Sequence, residues 1–209
     1  MSFYPELDHL NIEQLINRFH LPAPEDEDAV LYYQEVSHLI ATQGETGIKF
    51  LWQEIDKANT AQLQAILFAL TVTPIEYPFS QPELLKLLVN YLNDDRPLIV
   101  MEAIDGLSRL GVIANLKPVL ALREHSSPYV RSSVLRFMRR LYPEKALPLL
   151  IESLKDPDYI VRESAADELG ELDTVEAIPF LRSLMENDPH PDVREAAQSS
   201  IDLISLVAC

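Results

Sequence analysis

Four apolar residues set the frame for this chain. Ile99, Val130, Val161 and Val193 stand 31, 31 and 32 residues apart. Counted from each, the fourth residue on is Ala103, Val134, Ala165 or Ala197. The eighth is Leu107, Met138, Leu169 or Ile201, and the eleventh Leu110, Leu141, Leu172 or Ile204. Offsets of zero, four, eight and eleven share one side of an α-helix, so each copy is a helix with an apolar stripe. A supersecondary unit of this length cannot bury its own apolar face. Fourfold recurrence therefore means a stack of units with a shared core.

A second helix precedes each of the last three copies. Pro118, Pro148 and Pro179 recur at 30 and 31 residues, and each opens a short apolar stretch. Proline is accepted in the first turn of a helix, where its missing N–H has no bond to make. Turns such as Asp156-Pro-Asp and Asp188-Pro-His-Pro-Asp then join the paired helices, with Asp as turn former and N-cap. The N-terminal half is less regular, with helices expected near 10–20, 27–43, 46–58, 60–72 and 81–92. The expected fold is all-α, with about twelve helices in six hairpins. It forms one domain over 1–209, in which 1–80 are irregular cap repeats and 81–206 regular ones. Ala165 and Ala197 are expected to be buried, because small residues let stacked helices approach closely.

The stretch Asp156-Pro-Asp-Tyr-Ile-Val-Arg-Glu-Ser-Ala-Ala-Asp-Glu-Leu-Gly-Glu-Leu, with Ala177-Ile-Pro-Phe-Leu after it, resembles the HEAT-like repeat named after phycobilisome lyases. Asp192-Val-Arg-Glu-Ala-Ala repeats the pattern, and residues 81–111 and 114–141 are looser copies. The resemblance implies a right-handed α-solenoid whose second helices line the concave face. It also implies an Arg after the Val that bonds between turns, a place filled by Arg131, Arg162 and Arg194. Val100 departs from it, so the ladder is expected to break at 81–111. Bilin lyase subunits, bilin chaperones and plain scaffolds share this repeat, and a fold does not fix a function.

Composition narrows the partners. The formal net charge of −16 disfavours nucleic acid and anionic membranes, whose recognition needs clustered Lys and Arg. The N-terminus shows no basic segment followed by an apolar one, no apolar run approaches the ~20 residues of a membrane span, and a cytoplasmic protein is expected. The single cysteine, Cys209, gives no disulfide framework. Some HEAT proteins are di-iron enzymes built on His-Glu pairs, but no His-Glu dipeptide occurs here. The five histidines never fall at i, i+4 spacing, and surface or capping roles are expected rather than metal ligation. No glycine-rich phosphate loop and no placed nucleophile are seen, so no catalytic residue, metal or cofactor is assigned. Tyr32, Tyr33, Phe50, Trp52, Phe68, Tyr77 and Phe79 are read as fillers of an irregular core before being read as a pigment surface.

The charges are unevenly placed. Residues 1–95 carry 15 acidic and 4 basic residues, 142–209 carry 15 and 5, and 96–141 carry 3 and 8. On a helical wheel started at Val130, Arg136, Arg139 and Arg140 fall at about 240°, 180° and 280°, opposite the stripe and beside Ser132 and Ser133. Asp105, Arg136 and Asp167 occupy equivalent positions, as do Arg109, Arg140 and Glu171. Either neighbouring repeats pair these charges, or a partner does. Arg136, Arg139, Arg140, Arg109 and Ser132 are the candidate contacts to an acidic protein partner, or to an anionic ligand such as a bilin. The expected function is a non-catalytic protein-binding scaffold using the concave face. The alternative that the resemblance offers is a bilin lyase or chaperone-like subunit acting on phycobiliproteins.

Overall fold

The structure is a computed structural model that describes residues 3–25, 28–73, 81–111 and 113–207. Tyr77, Phe79, Cys209 and the Pro74 to Pro78 break lie outside the described residues. Twelve α-helices and no strand occur among those described. They are α1 (Ile12–His20), α2 (Ala29–Ala41), α3 (Glu45–Glu54), α4 (Thr60–Val72), α5 (Gln81–Tyr91), α6 (Pro97–Arg109), α7 (Leu116–Leu120), α8 (Pro128–Leu141), α9 (Pro143–Ser153), α10 (Tyr159–Glu171), α11 (Ile178–Asn187) and α12 (Pro191–Val207). Two compact units result, Met1–Leu110 and Gly111–Cys209. The division falls inside the stretch that the sequence presents as regular repeats.

In the first unit, polar residues start the helices. Asn11 and Asn59 each exchange side-chain and backbone bonds with the Gln three residues on, Gln14 and Gln62, at 3.0–3.1 Å. These reciprocal caps satisfy two orphan donors apiece. Helix α2 packs on α1, α3 and α4, and α6 packs on α4 and α5. Tyr32 and Tyr33 are buried, and the Tyr33 hydroxyl donates to the Leu21 carbonyl at 2.8 Å. Tyr4 meets Tyr32 edge-to-face at 5.3 Å, and Phe19 meets Phe50 likewise at 5.5 Å. Phe50, Trp52 and Phe68 are half-buried. The early aromatics therefore fill a core that the irregular repeats leave to large side chains.

In the second unit, α8 packs on α9 and α10, and α12 on α10 and α11. Val130, Val134, Val161, Ala165, Leu169, Val193, Ala197 and Ile204 from the stripes are buried. Ala165 and Ala197 are fully enclosed, as close packing of the inner helices requires. Gly170 marks the closest approach, since a Cβ there would lie 2.6 Å from Ser200 Oγ and 3.0 Å from Ser200 Cα.

The outer helices depart from the proline reading at two points. Helix α9 opens at Pro143, and Pro148 lies within it rather than at its start. Pro148 is exposed, so the bond it cannot donate is lost where water replaces it. Helix α7 around Pro118 has only 5 residues and continues as a 3-10 turn over Ala121–Glu124.

Candidate functional site

The arginine after each valine bonds two carbonyls of its own turn in all three copies, and in the first two it also grips the aspartate of the next turn. Arg131 Nη1 takes the carbonyls of His125 and Ser126 at 2.7 and 3.2 Å, while Nε and Nη2 grip Asp156 at 2.9 and 2.7 Å. Arg162 takes the carbonyls of Asp156 and Pro157 at 2.9 and 3.2 Å and grips Asp188 at 2.7 and 3.0 Å. Arg194 takes the carbonyls of Asp188 and Pro189 at 2.7 and 3.2 Å. Each aspartate also accepts a backbone N–H of its own turn: Asp156 from Asp158 and Asp188 from His190, both at 2.9 Å. One guanidinium thus closes its own turn and clamps the next, the bidentate geometry that Arg offers and Lys does not. In the first unit Val100 is buried, and the corresponding turn is closed by Arg96 on Asp94 at 2.8 and 2.9 Å.

The central basic residues divide. Arg139 Nε donates to Glu168 Oε2 at 2.6 Å, and Arg136 Nε lies 3.7 Å from Glu168 Oε1. Glu168 itself is buried. Arg136 is 45% exposed and Arg139 25%. Arg140 is exposed and has no ion-pair partner among the described residues. Ser132 is 5% exposed and Ser133 1%, so Ser132 is not part of the exposed patch. The wheel placed it opposite the stripe, but packing in the folded chain buries that position. On α10, the packing around Asp167 and then the charges of Glu163, Glu168 and Glu171 push its carboxyl up to about 6.

Glu168 is the residue that helical reading passed over. It is seven positions past Val161, about 340° round the helix and therefore beside the stripe. A carboxylate there turns inward and reaches back to α8. The wheel had pointed instead to Asp167, which stays exposed.

Arg109 is drawn into the first unit instead of the patch. Its side chain is 20% exposed, lies 5.1 Å over the Phe68 ring, donates through Nε to Thr71 Oγ1 at 2.9 Å, and pairs through Nη2 with Glu102. Glu102 is 4% exposed. Burial pushes its carboxyl up to about 7 despite the Arg109 charge and hydrogen bonds from Arg109 and Gln64, with Asp105 adding to the rise. The folded chain holds this proton until near pH 7, whereas an unfolded carboxyl releases it near 4.5. Stability from this group is therefore full below pH 4.5 and lost as pH rises to 7. Glu102→Gln should flatten the stability curve between pH 5 and 8, because an amide does not titrate there. Urea unfolding at the two pH values measures this, and parallel curves for parent and variant would contradict it.

The histidines serve turns and packing. His20 Nε2 lies 3.3 Å from Glu54 Oε2, His125 Nδ1 accepts from the Ser127 N–H at 3.0 Å, and His190 stacks on Tyr159 at 3.7 Å. Among the described residues, no three His, Cys, Asp or Glu side chains gather with the geometry of a metal site. No helix among those described is long and apolar enough to cross a membrane.

Stacked helical hairpins, with an arginine clamp repeated from turn to turn, define an all-helical repeat protein of the α-solenoid class. Residues 115–202 match the family described as HEAT repeats. The deoxyhypusine hydroxylase of Candida albicans is 28% identical over 159 residues, covering 73% of this chain and 49% of that protein. The match thus spans about half the length of that curated relative. Among solved structures, an engineered protein superposes with a TM-score of 0.51 at 15% identity, over 94% of this chain and 98% of that one. At that identity the likeness speaks for the fold alone. A designed armadillo repeat protein in complex with the peptide (KR)4 gives a TM-score of 0.49 at 16% identity, over 93% and 100% of the two chains.

Proposed function

We propose that this chain is a non-catalytic protein-binding scaffold, and that a partner docks on the exposed sides of α8, α10 and α12. One observation carries the reading: Arg140 stands exposed on α8, in a stretch, 128–142, that contains no acidic residue, with no ion-pair partner among the described residues. Arg136, 45% exposed, extends the same surface by one turn. Arg139 is mostly held by Glu168 and contributes less. Exposed charges of this kind steer encounter and select partners more than they stabilise a fold.

The test is charge reversal. Arg136→Glu with Arg140→Glu should abolish capture of partners held by the parent at low salt, with the melting temperature within a few degrees of the parent. Intact capture with lowered stability would make the arginines a structural ladder and overturn the reading. An enzymatic reading has one support, the hydroxylase named among the relatives. The bilin reading keeps only the motif resemblance of residues 156–181, and an unchanged visible spectrum on mixing with a bilin would end it.

A further inference from the structure

The three inner helices of the second unit repeat one register, so their exposed positions form rows that cross from helix to helix. The tenth residue after Val130, Val161 and Val193 is Arg140, Glu171 and Leu203, and all three are exposed. The sixth is Arg136, Asp167 and Ser199, again all exposed. Both rows read cation, anion, uncharged. Leu203 is 41% exposed, and Leu206, about one turn further on, is 78% exposed, which makes the α12 end of the row apolar.

We propose that this row reads an extended partner segment in order: an acidic residue at α8, a basic residue at α10 and an apolar residue at α12. The proposal rests on the protein-binding reading above and names the chemistry of its partner. Spacing fixes the reading frame. Packed helices lie about 8–10 Å apart. A polyproline II strand rises ~3.1 Å per residue and returns every third side chain to the same side, about 9 Å on. A β-strand would turn its third residue to the opposite side. The fitting ligand is therefore a polyproline II segment with acid, two residues, base, two residues, apolar, running in either chain direction. Arg140 supplies the fork for the carboxylate, and Glu171, backed by Asp167, takes the cation. Crowding by Glu163, Glu168 and Glu171 around Asp167 is relieved when a cation arrives.

A random peptide library displayed on phage and selected on the whole chain tests this. The parent should enrich acid-x-x-base-x-x-apolar or its reverse. Arg140→Glu should convert the acidic position of the enriched peptides to a basic one, and Glu171→Lys should convert the basic position to an acidic one. Exchanging the two charges in a synthetic peptide should weaken its binding to the parent about tenfold. Circular dichroism confirms that each variant folds. Enriched peptides that lose binding with Arg140→Glu but lack the order would sink the reading frame and leave the protein-binding reading standing. Peptides indifferent to both substitutions, or no enrichment, would overturn both.

Discussion

Arg162→Met should cost about 3–5 kcal/mol of stability, because it strands a buried carboxylate. The Asp188 side chain is 3% exposed and that of Arg162 13%. Two bonds at 2.7 and 3.0 Å join them, and without the arginine Asp188 keeps the His190 N–H. The substitution also releases the carbonyls of Asp156 and Pro157, to which Arg162 donates. The hydrogen bond from Arg162 is the largest lowering influence on the Asp188 carboxyl, which lies below the usual carboxylate value. A carboxyl depressed in the folded state stabilises it above the unfolded pKa, and this is lost as pH falls through the folded one. The gap between parent and variant should therefore be widest near neutral pH and narrow toward pH 3. Urea unfolding at pH 7 measures the loss, and a change under about 1 kcal/mol would contradict a clamp of this kind. Arg162→Met with Asp188→Leu should recover much of it, since an apolar pair of similar volume often replaces a buried ion pair without loss. Arg194→Met should cost less, because the bonds it loses are to carbonyls that remain near water.

The second large effect belongs to Gly47→Ala. On helix propensity alone this change should stabilise α3 by about 1 kcal/mol. The structure reverses the sign. A Cβ at Gly47 would lie 1.8 Å from the Ile40 carbonyl oxygen and 2.7 Å from its carbon, both backbone atoms of α2. No rotamer change relieves a clash with backbone, so α3 must shift away from α2 and loosen the packing around Ile48 and Leu51, both buried. A loss of more than about 3 kcal/mol is expected, beyond ordinary overpacking. Thr46→Ala, at the exposed neighbour, should leave stability level or slightly raised and so isolates the clash from propensity. Equal thermal melts for the parent and the Gly47 variant would show that α2 and α3 are not this close.

Much of the fold was legible because repetition multiplies a weak local signal. One stripe at Val130 could belong to many helical proteins, whereas four in register fix the length of the unit, and the turns between them follow from Asp and Pro. Helices near 60–72 and 81–92 appear at Thr60–Val72 and Gln81–Tyr91 because caps and breakers are local chemistry. Pro148 was misplaced because proline is compatible with several positions, and the choice depended on how Pro143 opened α9. The ladder arginines were legible only through the resemblance to a known repeat, and the structure supplies their partners, Asp156 for Arg131 and Asp188 for Arg162.

The sequence by itself determined the periodicity, the helical class and the closely packed alanines, all of which depend on residues at fixed spacing along one chain. Only the tertiary structure decided which charges survive on the surface. Arg109, Arg136, Arg139 and Arg140 look alike on their helices. Yet Arg109 lies over Phe68 beside buried Glu102, Arg139 is held by Glu168, and Arg140 is left exposed. Ser132 lies on the polar side of its own helix and is still buried. A helical wheel gives the direction of a side chain from one axis. What stands in that direction is set by neighbouring helices far along the sequence, as Phe68 is from Arg109 and Glu168 from Arg139, and their packing decides whether a charge meets water or a partner.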